Sequence, residues 1–287
     1  MPLVPTADLL NGAVSRRTGL GAFNVIHLET AEALVAAAED AGLPVILQIS
    51  QNCVGYHGGL EPIARATLAV AAGSQAPVAV HLDHAEDEEL TRQAIDLGFG
   101  SVMFDGAKLP YERNVEATVR VVEYAHANDV VVEAELGEIG GKDGAHAPGV
   151  RTDPDEARRF VDETGVDALA VAVGSSHAMT ERTASLDLGL IGRLHAAVPV
   201  PLVLHGSSGV ADETIVSAIR SGITKVNVST HLNAAFTAAV RRTLAEHPEM
   251  VDSRRYLREG RTAVTAEAAR LLTLFAVTEP APEGARS

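Results

Sequence analysis

Short apolar runs alternate with amphipathic, Ala-rich stretches through most of the chain, and this alternation limits the folds it can adopt. Eight runs have the apolar character of buried strands, and the stretches between them include segments with the spacing and end signals of helices. The runs are 21–26, 44–50, 77–83, 101–105, 130–136, 167–173, 201–206 and 224–229. Strand followed by helix, eight times over, predicts an α/β fold of the (β/α)₈ TIM barrel type. A doubly wound open sheet is the alternative.

The length and composition of the chain agree with one such barrel. A chain of 287 residues is within the range of single α/β barrels, so we expect one domain over residues 1–287. Only 3% of the residues are aromatic, so the core must be built from Ala, Val, Leu and Ile, as in parallel sheets covered by helices. We expect the Gly-rich segment 137–150 to be a mobile loop over one barrel end. The tail after about residue 247 is predicted to be an accessory helix and a frayed terminus.

Charge, apolar runs and cysteine content indicate which partners and which cellular location to expect. The formal net charge is -15, without basic blocks, which argues against nucleic acid and anionic membranes as partners. No run approaches the roughly 18 apolar residues of a membrane helix. Cys53 is the only cysteine, so no intrachain disulfide can form and a reducing cytoplasm is the simplest location.

The third apolar run ends in HLDH, which places three titratable side chains in four positions. Side chains alternate along a strand, so His81 and Asp83 share one face, and His84 turns to the other unless the backbone is already leaving the strand. In a (β/α)₈ barrel the chemistry lies at the carboxyl ends of the strands. We therefore expect Asp83 and His84 at the barrel mouth, and His81, in mid-run, inside the barrel or beside the site.

Other runs also end in polar side chains. Asp105 ends the fourth run, Glu135 lies in the fifth, His177 follows the sixth and His205 ends the seventh. The imidazoles of His84, His177 and His205 can meet at one ion, and Zn²⁺ with three neutral nitrogen ligands remains a strong Lewis acid. Asp105 and Glu135 could orient the imidazoles from behind or hold an alternative metal position.

Small residues after the seventh and eighth runs indicate an anion site. In HGSSG, 205–209, backbone N–H groups and the Ser208 hydroxyl can approach an anion, although on its own such a motif is more often a flexible turn. The segment NVST, 227–230, adds Asn, Ser and Thr donors, and barrel phosphates commonly bind at these two loops. Together the two segments predict a phosphate site.

In order and spacing, these motifs resemble those of the class II, zinc-dependent ketose-bisphosphate aldolases, the group that contains fructose- and tagatose-bisphosphate aldolases. The likeness runs from AFNV at 22 through HLDH, SVMFDG, VEAELGEIGG, TGVDALAVAVGSSH, PLVLHGSSG and GITKVNVST. It implies reversible retro-aldol cleavage of a phosphorylated ketose, such as fructose 1,6-bisphosphate, to dihydroxyacetone phosphate and an aldehyde. It also implies Zn²⁺, with a monovalent cation as a further candidate, and a homodimer or homotetramer.

The resemblance implies roles for individual residues. Asp83 matches the acid that exchanges a proton with the aldehyde-side hydroxyl, and Asp143 stands where a loop carboxylate moves a proton on the ketone-side carbon. Glu135 matches a carboxylate that binds metal in some members. The histidines that match the zinc ligands are His84, His177 and His205. The implied substrate contacts are Asn24, Ser50, Gly206, Ser208, Gly209, Asn227, Ser229 and Thr230.

Two departures from the family pattern leave other functions open. HAMTER, 177–182, replaces His-Gly-x-Tyr-Lys, so a lysine contact to phosphate is missing unless Arg182 takes its place, and Asp143 stands where the family has Glu. The alternatives are an aldolase for a less phosphorylated ketose and a catalytically weak or silent sugar-phosphate-binding homologue. A barrel metallohydrolase ranks lowest, because the first run lacks His-x-His. A Schiff-base mechanism is less natural, because only Lys225 lies in a run.

Overall fold

The structure of the protein is a computed structural model that describes residues 3–136, 151–176, 179 and 181–276. Eight parallel strands each pair with the next, and the eighth pairs with the first, so the sheet is a closed barrel. This confirms the predicted (β/α)₈ barrel and excludes the open sheet. The strands are β1 Leu20–Asn24, β2 Val45–Ser50, β3 Val78–Ala85, β4 Ser101–Phe104, β5 Val131–Leu136, β6 Ala168–Val171, β7 Leu202–Leu204 and β8 Ile223–Val228.

Helices follow every strand and surround the barrel. Their ends carry the expected signals: for example, Asp153 accepts hydrogen bonds at the start of one helix, and Gly165 ends it with a φ of 71°. A short 3₁₀ helix, Ser207–Gly209, follows β7. The α-helices are α1 Thr6–Arg16, α2 Leu28–Ala41, α3 Gln51–His57, α4 Leu60–Gly73, α5 Glu88–Asp96, α6 Tyr111–His126, α7 Pro154–Thr164, α8 Leu188–Ala197, α9 Asp212–Ser221, α10 Thr230–Glu246 and α11 Ser253–Phe275.

The barrel interior is apolar at its amino end and polar toward its mouth. At the amino end, Leu20, Ile46 and Ala79 pack against Leu9 and Leu10 of α1, which closes the floor of the barrel. Nearer the carboxyl ends of the strands, inward positions carry buried polar side chains. These include Gln48, His81, Asp83, Glu133, Lys225 and Asn227. Buried polar groups require hydrogen-bond partners. The polar part of the barrel interior is therefore the candidate site.

The tail of the chain forms the predicted accessory helix, α11, which packs along α2 and α10. Its buried face includes Val264, Leu271 and Phe275, and the Phe275 ring packs edge-on against Phe23 of β1 at a centroid distance of 6.3 Å. The predicted frayed terminus, 277–287, and the Gly-rich loop, 137–150, lie outside the described residues. Within the described parts of the chain, no helix has the length and apolar character needed to cross a bilayer.

Candidate metal and substrate site

A distortion at the end of β3 brings two consecutive side chains into the barrel mouth. The register of β3 against β4 shifts between Leu82 and Ala85, and His84 has a φ of 51°, in the left-handed region. A bulge of this kind re-aims a side chain, at a strain of about 1–3 kcal/mol for a residue other than glycine. Asp83 and His84 are therefore both buried in the same site, although strict alternation would separate them.

The imidazoles of His84 and His205 face each other. His84 Nε2 lies 2.9 Å from His205 Nδ1, and the two rings are nearly perpendicular, at 83°. The outer nitrogens contact carboxylates: His84 Nδ1 is 2.8 Å from Asp105 Oδ2, and His205 Nε2 is 2.9 Å from Glu133 Oε1. Carboxylates behind imidazoles are typical of metal sites, because they fix the ring and its tautomer.

This arrangement fits a bound cation. A carboxylate oxygen accepts, so the ring hydrogens lie on His84 Nδ1, facing Asp105, and on His205 Nε2, facing Glu133. The lone pairs of His84 Nε2 and His205 Nδ1 then face the same space, where a cation bound by both nitrogens would be stabilised. Two groups of described residues offer ligand atoms within 4.8 Å of one another: Asp83, His84 and His205, and His84, Asp105 and Glu135. Nitrogen and oxygen donors of this kind suit Zn²⁺.

The Asp83 carboxylate is held by two amides beside these imidazoles. Asn24 Nδ2 lies 3.3 Å from one oxygen and Asn227 Nδ2 lies 3.3 Å from the other. Burial raises the pKa of this carboxyl, but the neighbouring imidazoles of His84 and His205 together with the Lys225 ammonium outweigh burial, so its pKa lies well below the ordinary value. Asp83 is therefore ionised at neutral pH and can accept a proton.

A buried ion pair lies directly beneath the imidazoles, and sequence reasoning gave it no role. Lys225 Nζ donates to Glu133 Oε2 at 2.8 Å. Strand periodicity is the signal that could have found it: Glu133 is two residues before Glu135, and Lys225 is two before Asn227, so each shares a face with a predicted site residue. The sequence does not show that these side chains of β5 and β8 meet inside the barrel.

Gln48 is a second residue that the sequence did not indicate. Its Nε2 donates to Asn24 Oδ1 at 2.8 Å, so it supports the amide that holds Asp83. Gln48 is two residues before Ser50 in β2 and is fully buried. Ser50, a predicted substrate contact, is only partly buried and caps α3, where its Oγ accepts from Cys53 N at 3.3 Å.

The glycines after β7 are needed for a close backbone approach. Gly206 has a φ of 66°, and a Cβ there would lie 2.7 Å from the backbone of Ser176, which follows β6. A Cβ on Gly209 would lie 2.5 Å from the sulfur of Met179. The loops after β6 and β7 are therefore in direct contact at the barrel mouth.

The loops after β7 and β8 also meet. The Oγ of Ser208 accepts from the backbone N–H of His231 at 3.2 Å, in the first turn of α10. Ser229 is the N-cap residue of α10, and Thr230 is its first residue. Three of the residues predicted to bind phosphate, Ser208, Ser229 and Thr230, thus lie around the amino end of α10, where anions are favoured.

Arg182, the candidate substitute for the missing lysine, is bound to an acid. Its Nη1 donates to Asp212 Oδ1 at 2.6 Å, and Asp212 also accepts from Arg270 at 2.6 Å. The guanidinium is thereby anchored at the first residue of α9. Two predicted site residues, His177 and Asp143, lie outside the described residues, so the third proposed ligand and the loop carboxylate stay predictions.

Comparison with known proteins agrees with this geometry over nearly the whole chain. The family model described as "Fructose-bisphosphate aldolase class-II" matches residues 4–279. A fructose-bisphosphate aldolase from Geobacillus stearothermophilus is 41% identical over 270 residues, which cover 93% of this chain and 94% of that protein. A 6-phospho-5-dehydro-2-deoxy-D-gluconate aldolase from Shouchella clausii (strain KSM-K16) is 39% identical over 284 residues, covering 98% and 97% of the two chains.

A solved structure gives the same result. The X-ray crystal structure of the YdjI aldolase from Escherichia coli K12 superposes with a TM-score of 0.83 at 33% identity, covering 95% of this chain and 97% of that chain. The family is metal-dependent and acts on sugar phosphates, in agreement with the donor groups at the barrel mouth. The chain belongs to the class II fructose-bisphosphate aldolase family and is a lyase of the aldolase type.

Proposed function

We propose that this protein is a zinc-dependent aldolase that reversibly cleaves a phosphorylated ketose to dihydroxyacetone phosphate and an aldehyde. The observation that carries the proposal is the 2.9 Å approach of His84 Nε2 and His205 Nδ1 beside the Asp83 carboxylate. His177 is the proposed third ligand. Asp105 and Glu135 are proposed to orient the imidazoles or to provide a second metal position.

A divalent cation held by these histidines supplies a Lewis acid that polarises the ketone and stabilises the charge left when the carbon–carbon bond breaks. Asp83 accepts the proton of the aldehyde-side hydroxyl during cleavage and returns it in the reverse direction. Asn227, whose amide contacts both Asp83 and His205, is proposed to hold the ketone-side portion of the substrate. Asp143 is proposed to protonate the ketone-side carbon.

The substrate is proposed to be fructose 1,6-bisphosphate or a related phosphorylated ketose, bound through Asn24, Ser50 and the loops after β7 and β8. The relatives of this chain include both a fructose-bisphosphate aldolase and a 6-phospho-5-dehydro-2-deoxy-D-gluconate aldolase. The anchoring of Arg182 on Asp212 favours a second candidate, an aldolase for a less phosphorylated ketose. A charge-assisted hydrogen bond contributes about 1.5–3 kcal/mol, so one missing cation shifts phosphate affinity roughly ten- to a hundredfold.

The test is a panel of ketose mono- and bisphosphates and unphosphorylated ketoses, incubated with zinc-loaded protein and assayed for released triose. We expect cleavage of a phosphorylated ketose and loss of cleavage after chelation. Equal rates with and without chelator would show that the metal has no role. Binding without turnover across the panel would favour the silent homologue.

Four expectations from the sequence remain predictions. They are a single domain over 1–287, a cytoplasmic location, a homodimer or homotetramer, and a monovalent cation as a further cofactor.

A further inference from the structure

We propose that Glu133 and Lys225 are positioning residues that prepare His205 for the metal: Glu133 fixes the ring and the tautomer of His205, and Lys225 fixes Glu133. This inference rests on the proposed metal site. Neither residue has a role in the proton transfers proposed above, and both lie beneath the imidazoles rather than at the barrel mouth.

Both oxygens of Glu133 have donors. Oε1 lies 2.9 Å from His205 Nε2, and Oε2 lies 2.8 Å from Lys225 Nζ. His81 Nε2 lies 4.0 Å from Oε2, on the remaining side. Glu133 pairs with the Lys225 ammonium through Oε2, so it is a carboxylate that accepts from both donors.

His81 also faces Glu133, but at 4.0 Å it makes no hydrogen bond to it. Its Nδ1 lies 2.8 Å from Ser101 Oγ, and Thr6 Oγ1 donates to the same hydroxyl. The Ser101 hydrogen is therefore directed at His81 Nδ1, which leaves the ring hydrogen on Nε2. The cation that pairs with Glu133 is therefore Lys225, at 2.8 Å, and not His81.

The charge on Glu133 determines the tautomer of His205. Nε2 of His205 also lies 3.1 Å from Asn227 Nδ2, a contact that taken alone would make Nε2 an acceptor. An ionised carboxylate at 2.9 Å cannot donate, so Nε2 must carry the hydrogen. The lone pair is then on Nδ1, which faces His84. Without Glu133 the opposite tautomer becomes available, and it directs a hydrogen at the metal position.

Lys225 keeps Glu133 in this orientation. Lys225 is 1% exposed and Glu133 is 2% exposed, so solvent cannot replace either partner. A buried ion pair gives little net stability compared with apolar side chains of similar size. Its effect here is geometrical, because the ammonium holds Oε2 and thereby leaves Oε1 at His205 Nε2.

Two double variants distinguish the effect of the acceptor oxygen that orients His205 from the effect of the buried charges of Glu133 and Lys225. Glu133→Gln with Lys225→Met keeps an acceptor oxygen for His205, whereas Glu133→Met with Lys225→Met removes it. Neither variant leaves an unpaired buried charge, and Gln and Met have similar sizes. The readouts are the zinc Kd, from competition with a chromophoric chelator, and the visible spectrum of the Co²⁺-loaded protein. Urea unfolding of the metal-free proteins controls for stability.

We expect the Gln variant to bind zinc nearly as wild type does and to keep its Co²⁺ spectrum. We expect the Met variant to bind zinc roughly 10- to 100-fold more weakly and to show an altered spectrum. The single Lys225→Met variant should bind more weakly than the Gln double variant, because it leaves Glu133 without its ammonium. Rescue by the second substitution would show that Lys225 acts through Glu133.

The outcomes distinguish this inference from the proposed function. A wild type that binds no zinc overturns the proposed metal site. A wild type that binds zinc, with equal Kd values for the two double variants, overturns only the positioning role. If the double variants do not fold, ¹⁵N-histidine NMR of zinc-loaded wild type decides: a hydrogen on His205 Nε2 supports the inference, and one on Nδ1 contradicts it.

Discussion

Asp83 has a low pKa and two amide contacts, and its proposed role is to accept a proton. That role can be tested separately from metal binding. Asp83→Asn keeps the size of the side chain but cannot accept a proton. We expect kcat for retro-aldol cleavage to fall by about 10²- to 10⁴-fold while zinc stays bound. Asp162→Asn, at an exposed acid of α7 paired with Arg158, is the control. An unchanged kcat in Asp83→Asn would remove Asp83 from the proton transfer.

His84 should be required for metal binding. His84→Ala removes the nitrogen that faces His205, and we expect zinc affinity to fall at least about 100-fold, since even partners behind a ligand contribute about 10- to 100-fold. The measurement is the metal-to-protein ratio after dialysis against dilute zinc, by elemental analysis. His247→Ala, at an exposed histidine just after α10, should bind like wild type. Full zinc occupancy in His84→Ala would contradict the proposed ligand set.

The sequence predicted the residues at strand ends better than those inside the barrel. The convergence of Asp83, His84 and His205 could be predicted, because a polar side chain that ends an apolar run has few structural explanations. Glu133 and Lys225 could not be assigned a role, because their pairing depends on which side chains of β5 and β8 meet inside the barrel. That relation follows from closure of the barrel and is not encoded in local sequence.

Single elements were predicted well, and two of the differences at their ends have local causes. β3 extends to Ala85, beyond the predicted end at 83, because the bulge at His84 continues the pairing. β7 ends at Leu204, before the predicted 206, because Gly206 adopts a φ of 66° and the chain leaves the sheet. Both differences depend on left-handed residues, which alternation of apolar and polar side chains does not show.

The packing of α11 makes this helix a structural part of the barrel wall. Phe275→Ala removes a fully buried ring that contacts Phe23, and we expect a loss of about 3–5 kcal/mol in the free energy of unfolding. The measurement is urea unfolding of the metal-free protein. Thr273→Ala, on the exposed face of the same helix, should change stability little. Equal midpoints for the two variants would show that α11 adds no stability.

On the scale of the whole molecule, the metal should couple to stability. A ligand that binds only the folded state stabilises it by about 2.7 kcal/mol at a concentration 100 times its Kd. For a chain of this size we expect chelation to lower Tm by roughly 5–10 °C. Thermal unfolding with and without chelator measures the shift. His84→Ala serves as the control and should show no such shift, whereas an equal shift in that variant would place the stabilising ion elsewhere.

The α1 helix lies across the amino end of the barrel, where Leu9 and Leu10 pack against β1–β3. The barrel is therefore closed at its amino end. For the cleavage proposed above, the substrate would enter and both products would leave through the mouth at the opposite end, so the next substrate would bind only after both products have departed.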